Sequence, residues 1–292
     1  AHFAQSMHGD RREESIHSLF MTIAEFQMDR FRSLVRFVRP DEALSLAGGR
    51  CLTVFDSNTV DLPVGPRPER FLVVPGGEAA KRVSVWERIL DGCNRYQLTR
   101  AGTLVGVGGG AVTDVAAMAA STHLRGVPLI LVPTTLLAMV DAAIGGKTGI
   151  NFAGRKNIVG TFYPAGEVRV CPELLSSLSD REYFSGLAEV IKAGLLGDPD
   201  LLAILESDPS AVRARDPDIV RELIRRAIRV KVDVVETDFT EKGTRAFLNL
   251  GHTFAHALEA VAGFGIWTHG AAVAWGIAQA MSAGRTLGLT DP

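Results

Sequence analysis

TLVGVGGGAVTDVAAMAAST, from Thr103 to Thr122, is the stretch that decides the fold. Thr103–Val107 is a short, near-continuous apolar run, and Val112–Thr122 has helical period. The glycine loop GVGGGAVTD, Gly106–Asp114, joins the two. A strand that is apolar on both faces and turns directly into a helix suits a parallel sheet covered on both sides.

The same grammar recurs on either side. CLTVFD (Cys51–Asp56), FLVVP (Phe71–Pro75) and PLILVP (Pro128–Pro133) read as further strands, with a helical pattern over Ala79–Tyr96. After about Ser179 the period turns helical: Glu182–Leu196, Ser210–Thr237, Arg245–Ala262 and Gly270–Leu287, with Gly251 and Gly263 as punctuation. The expectation is an α/β domain with a mostly parallel sheet over residues 1–178, followed by an all-α domain over 179–292. Ligands often lie in the cleft between such domains.

Composition narrows the function classes. With 292 residues, 47% hydrophobic and 22% charged, the chain has material for a sizeable core. A net charge of −2 implies no broad attraction to nucleic acid or anionic membrane. Cys51, Cys93 and Cys171 are far apart and odd in number, which suits a reducing cytoplasm rather than a disulfide framework. The longest apolar run, Val127–Val140, is too short to span a bilayer and contains Pro133. The opening AHFAQSMHGD lacks the basic region and apolar core of a secretory signal.

Four stretches carry chemistry. In the glycine loop, Gly106, Gly108 and Ala111 fit G-x-G-x-x-A, which lets backbone N–H groups reach a pyrophosphate at a helix N-terminus. The acidic residue expected about 20 positions on is missing, so a standard dinucleotide site is doubtful and a plain tight turn stays open. In DAAIGGKTGINFAGRKNIVG (Asp141–Gly160), the glycine-flanked Lys147 suits a phosphate as a point charge; a solvated loop with two lysines fits equally. GLAEVIKAG sets Glu189 and Lys192 three apart on an apolar helix. They could form a surface ion pair, but a buried carboxylate needs a partner, and a metal is one.

The fourth stretch, LNLGHTFAHALEA (Leu248–Ala260), puts His252 and His256 on one helical face. No Glu follows His252, so the HExxH pattern is absent; capping or packing a helix remains open for the pair. Together with His269 in WTHGAAVAWG, the set Glu189, His252 and His269 would suit catalytic Zn²⁺ with an open position. His256 would then be free for acid–base work.

These pieces, in this order, resemble the 3-dehydroquinate synthase family of sugar-phosphate cyclases. The matching motifs are PGGEAAK, GGGAVTDVAAMAA, LRGVPLILVPTTLLAMVDAAIGGKTGIN, RKNIVGTFY, GLAEVIKAG, RAFLNLGHTFAHALE and HGAAVAWG, and the likeness runs from about Arg50 onward. The resemblance implies an NAD-binding α/β domain joined to a helical metal- and substrate-binding domain. It implies conversion of 3-deoxy-D-arabino-heptulosonate 7-phosphate to 3-dehydroquinate and phosphate. The steps it implies are transient oxidation at C5, phosphate elimination, reduction, ring opening and aldol closure, the chemistry of a phosphorus–oxygen lyase of the shikimate pathway.

Carried over by motif, the metal ligands are Glu189, His252 and His269, with Zn²⁺ or Co²⁺ both accepted by such a set. Lys147, Asn157 and His256 hold the phosphate; Lys231, Arg245 and Asn249 hold the carboxylate and ring hydroxyls; Asp141 and Lys192 complete the site. Arg125 reaches the phosphate from a neighbouring subunit, which implies a homodimer. The NAD positions are Asp56, Asn58, Glu78, Lys81, Gly109, Gly110, Asp114, Thr134, Thr135 and Lys156.

The sequence departs from the family at a few places. Ala271 stands where the family often has Glu, and Met139 where it often has Gln. Family members usually continue with further helices past the position of Pro292, so the helical domain reads as truncated. Competing readings are a cyclase of the 2-epi-5-epi-valiolone synthase or 2-deoxy-scyllo-inosose synthase type, a metal-dependent polyol dehydrogenase, and a non-catalytic truncated copy.

Overall fold

Apolar runs that ignore face alternation become strands with both faces covered. In the computed structural model, which describes residues 22–45, 50–263 and 266–289, this is what Cys51–Asp56 (β3), Thr103–Gly108 (β5) and Leu129–Pro133 (β6) do. Every residue of β3 and β5 after the first is buried. With Phe71–Val74 (β4) and Glu167–Val170 (β9) they form a parallel array. Thr22–Met28 (β1) and Phe31–Phe37 (β2) complete the sheet as a hairpin, β2 running parallel to β9, in the order β1-β2-β9-β6-β5-β3-β4. A separate antiparallel ribbon joins Ile150–Phe152 (β7) to Arg155–Val159 (β8). The N-terminal stretch read for a secretory signal lies outside the described residues.

Helices Val83–Arg95 (α1) and Gly110–Thr122 (α2) follow the sheet's βα turns. Close approach explains Gly106: a Cβ there would stand 2.9 Å from the Ala116 Cβ of α2 and 3.0 Å from Leu131 of β6. Only a residue without a side chain lets α2 lie this near the sheet.

From Asp180 the chain is helical: Asp180–Gly197 (α3), Pro199–Ser207 (α4), Pro209–Ala214 (α5), Pro217–Thr237 (α6), His252–Ala262 (α7) and His269–Thr286 (α8). Ser179 caps α3 by accepting from the Glu182 amide at 3.3 Å. The single helix expected over Ser210–Thr237 is broken: Arg215 is left-handed at φ +60 and Pro217 restarts the helix as α6. Proline disfavours helical backbone at the residue before it, so Asp216 becomes the new N-cap. Likewise the pattern from Arg245 divides into a 3-10 turn over Thr244–Asn249 and then α7.

One core runs from the sheet through α3–α6 to Leu248, while Ala255, Ala272, Val273 and Ile277 of α7 and α8 form a second, small cluster. Among the described residues, no helix is long and apolar enough to cross a membrane.

Candidate active site

Parallel strands bring their C-terminal ends to one edge, where doubly wound sheets bind ligands. Here that edge carries Asp56 at the end of β3, Gly109 and Gly110 where β5 turns into α2, and Thr134 and Thr135 after β6. Asp56 Oδ1 accepts from the Asn58 amide at 2.8 Å. The N-terminus of α2 has no side-chain cap, and the Thr134 hydroxyl is buried without a partner. Free amides at a helix start and an orphaned buried hydroxyl are what a bound phosphate-bearing cofactor would satisfy.

Further along, five residues form one string. Lys81 Nζ lies 2.5 Å from Asp114 Oδ2 and donates to Asn157 Oδ1 at 3.0 Å. Burial works against the Lys81 ammonium, but contact with Asp114 outweighs it and holds the charge. The Asn157 amide donates to Asn151 Oδ1 at 2.9 Å, and Asn151 Nδ2 donates to Glu78 Oε2 at 2.9 Å. Asn157 is left-handed at φ +54, and its backbone amide is held by Asn151, a residue the sequence did not single out.

At the other side, three helices converge. Glu189 sits in the middle of α3, His252 opens α7 and His269 opens α8. One ligand atom from each lies within 4.8 Å of the others. The approach of α8 to α3 depends on Gly270, whose amide donates to Ser185 Oγ at 2.9 Å. Glu189 is 2% exposed, and neither carboxylate oxygen accepts a well-formed hydrogen bond, although the Lys192 ammonium and His269 Nε2 stand beside it. Burial and Asp141 push its carboxyl up, but His269 and Lys192 outweigh them, so it is charged. Burial, with Lys192 adding to it, lowers His252 to about 4, so its imidazole is neutral. A charged, buried carboxylate and a neutral imidazole make a donor set that fits a divalent cation.

Charges alternate away from this trio. Asp141, on a turn of π-helix over Ala138–Ala142, takes the Lys231 ammonium of α6 on both its carboxylate and its carbonyl. Burial would raise the Asp141 carboxyl, but Lys231 and Lys192 hold it far down. Lys231, Asp141, Lys192 and Glu189 thus form a row of alternating sign. Arg245, 1% exposed, donates to the carbonyls of Phe239 at 2.5 Å and Gly145 at 2.9 Å, and its Nε has no partner. Met139 is fully buried in the π-turn.

Lys147 and Asn249 meet through a residue that sequence reasoning missed. Glu241 Oε2 lies 2.5 Å from Lys147 Nζ, and Glu241 Oε1 accepts from Asn249 Nδ2 at 2.7 Å. Lys156, expected at the cofactor, reaches across to Glu259 of α7 at 3.4 Å. His256 stands one turn beyond His252, ring centroids 5.7 Å apart, with its basicity lowered by burial. Arg125 does not join this assembly: it follows α2 and precedes β6, at the opposite edge of the sheet.

Comparison with known proteins adds the following. A family model described as 3-dehydroquinate synthase N-terminal matches residues 71–185, and one described as 3-dehydroquinate synthase C-terminal matches 186–292. A 3-dehydroquinate synthase of Salinibacter ruber is 48% identical over 246 residues, covering 81% of this chain and 67% of that protein. One from Thermobifida fusca is 50% identical over 220 residues, 75% of this chain and 60% of that protein. The chain thus spans roughly three fifths to two thirds of the length of these relatives. Among solved structures, 2-deoxy-scyllo-inosose synthase complexed with carbaglucose-6-phosphate, NAD+ and Co2+ superposes with a TM-score of 0.81 at 26% identity, covering 92% of this chain and 78% of that one. The 2-epi-5-epi-valiolone synthase of Streptomyces hygroscopicus subsp. jinggangensis 5008, with NAD+ and Zn2+ bound, gives 0.76 at 25% identity, over 92% of this chain and 84% of that one.

Proposed function

The chain belongs to the 3-dehydroquinate synthase family, and from that premise we propose that it converts 3-deoxy-D-arabino-heptulosonate 7-phosphate to 3-dehydroquinate and phosphate with NAD and one divalent metal ion, Zn²⁺ or Co²⁺. The observation that carries the reading is the convergence of Glu189, His252 and His269, with ligand atoms within 4.8 Å of one another around a buried carboxylate. When bound, NAD supplies a reversible hydride acceptor and the metal supplies Lewis-acid polarisation of the substrate oxygens.

The chain's own groups have the following tasks. Glu189, His252 and His269 hold the metal. The edge formed by Asp56, Gly109, Gly110, Thr134 and Thr135, with Asn58, Glu78, Lys81, Asp114 and Lys156, holds the cofactor; the uncapped start of α2 and the orphaned Thr134 hydroxyl support this. Lys147, Asn157 and His256 bind the phosphate, and the His256 imidazole, its basicity lowered by partial desolvation, accepts a proton on a ring nitrogen. Lys231, Arg245 and Asn249 orient the carboxylate and ring hydroxyls. Arg245 is positioned through its bonds to the Phe239 and Gly145 carbonyls. Asp141 and Lys192 fix the charges around the metal trio. Arg125, remote from this assembly within one chain, serves the site of a second copy, which implies a homodimer. The lyase works in the cytoplasm, with residues 1–178 as the cofactor domain and 179–292 as the metal and substrate domain.

The test is phosphate release from 3-deoxy-D-arabino-heptulosonate 7-phosphate with NAD⁺ and Zn²⁺, alongside sedoheptulose 7-phosphate and glucose 6-phosphate. Release from the first alone, abolished by chelation, is expected. Release only from another sugar phosphate would replace this substrate assignment with one of the related cyclase activities.

A further inference from the structure

Among the described residues, Leu124 and Arg125 are the one adjacent pair of non-glycine residues with left-handed backbone, at φ +50 and +65, and Gly126 follows at +123. Residues with a side chain avoid this region, because Cβ crowds the backbone, and hold it only where their surroundings impose it. Here the surroundings do so from both sides. His123, 7% exposed, sets Nε2 at 2.9 Å from the Leu98 carbonyl oxygen. The Gly126 amide donates to the His123 carbonyl at 2.9 Å, and the Val127 amide to the Ala120 carbonyl of α2 at 3.0 Å. Tyr163 closes the turn from outside α2: its hydroxyl donates to the Val127 carbonyl at 2.8 Å. A Cβ at Gly126 would stand 3.1 Å from that hydroxyl, so the turn and the tyrosine fit closely. This strain buries neither side chain at its centre. Leu124 is 43% exposed, and Arg125 is exposed and makes no ion pair among the described residues. A strained turn that serves no packing of its own points to a task in presenting what it carries.

We propose that Tyr163 is a positioning residue, whose hydroxyl locks this turn so that Arg125 is held out in one direction towards a phosphate bound by a second copy of the chain. This rests on the reading of Arg125 as serving the site of a second copy. An exposed arginine loses side-chain freedom when it grips an anion, and a fixed backbone beneath it reduces what must still be ordered. Without the hydroxyl, Leu124 and Arg125 can relax to ordinary backbone angles, and the guanidinium then starts from a different place. The other end of Tyr163 is anchored independently. Its amide donates to the carbonyl of Gly146, the residue before Lys147, at 2.7 Å, and its ring meets Phe31 edge-on at 5.6 Å. One residue therefore links the strand that carries the chain's own phosphate lysine to the turn that carries the arginine it lends.

The experiment measures the dissociation constant of inorganic phosphate on the full chain by calorimetry, for wild type, Tyr163→Phe, Arg125→Ala and the double variant. Tyr163→Phe removes the hydroxyl alone, since the ring contact and the backbone bond to Gly146 do not need it. The expected result is about fivefold weaker phosphate binding in Tyr163→Phe, the size of one lost hydrogen bond. In the Arg125→Ala background the same substitution should change nothing further, because the group it positions is gone. Wild-type affinity in Tyr163→Phe overturns the proposal. So does a fivefold loss that recurs in the Arg125→Ala background, which is what a merely structural tyrosine would give. Loss of retained Zn²⁺ in Tyr163→Phe would also overturn it, by showing a general loosening. The single Arg125→Ala variant separates the two layers: weaker binding is expected, and wild-type affinity there would overturn the reading of Arg125 itself.

Discussion

Gly270→Ala places one methyl group where the helical layer has no room. A Cβ at Gly270 would stand 1.9 Å from the Ser185 carbonyl oxygen, 2.5 Å from its carbon and 2.6 Å from its Cα. All three atoms are backbone of α3, so no rotamer change relieves the clash; α8 must move away from α3. Overpacking of this kind costs about 1–3 kcal/mol. The expected fall in melting temperature is then about 2–12 °C, at the ~2–4 °C per kcal/mol of a large domain. The movement also has a local consequence. His269 precedes Gly270, and the Gly270 amide loses its 2.9 Å bond to Ser185 Oγ. His269 Nε2 now lies 3.5 Å from Glu189 Oε1, and a displacement of about 1 Å takes a donor out of bonding range of a shared ion. Metal affinity should fall by at least tenfold, a loss of the size seen when residues supporting a metal ligand are removed. Thermal unfolding and Zn²⁺ titration against a chromophoric competitor measure both effects. A Gly270→Ala protein with wild-type melting temperature and wild-type metal affinity would refute the reasoning.

Three further outcomes follow from the same geometry. Asp141→Asn leaves Lys231 and Lys192 without their shared counter-charge. It should destabilise by about 3 kcal/mol in denaturant unfolding, and Asp141→Asn with Lys231→Met should recover part of that; no recovery would contradict the pairing. Glu167 accepts from Arg36 at 2.5 Å and Arg169 at 2.9 Å; burial would raise its carboxyl, but these bonds hold it below the usual range. Its folded value being depressed, its stabilisation is present above the unfolded value and disappears as pH falls through the folded one. Glu167→Gln should therefore be less stable by about 2 kcal/mol at pH 7, with the gap closing below about pH 4; a gap independent of pH would contradict it. His256→Ala should keep its metal while losing phosphate release by about 10²-fold or more. Metal loss would instead make His256 a ligand.

What the sequence disclosed depended on whether a residue's role is local. β3, β4, β5 and β6 were legible because a strand covered on both faces is apolar throughout. β1 and β2 were not, since they interleave buried Phe26, Met28 and Val35 with exposed or partly exposed Glu25, Arg32 and Arg36. β9 is only four residues long, and β8 is almost wholly exposed. The break at Arg215 was missed because helical period continues on both sides of it; Pro217 was the available signal. In the candidate site, Glu189, His252 and His269 stood out because few residue types bind metals. Glu241 and Asn151 are ordinary polar residues in turns and ribbons, and their importance comes from contacts with Asn249, Lys147, Asn157 and Glu78 that no local pattern announces. Ser185 and Gly270 matter through a close approach of two helices, which spacing along the chain does not encode.

The most direct test of the account is the metal content of the purified chain. Wild type and Glu189→Ala would be loaded with Zn²⁺, dialysed and measured by atomic emission. The account predicts one retained ion per wild-type chain and essentially none in Glu189→Ala. Equal retention by both proteins would contradict the assignment of Glu189, His252 and His269 as a metal centre, and with it the catalytic role built on them.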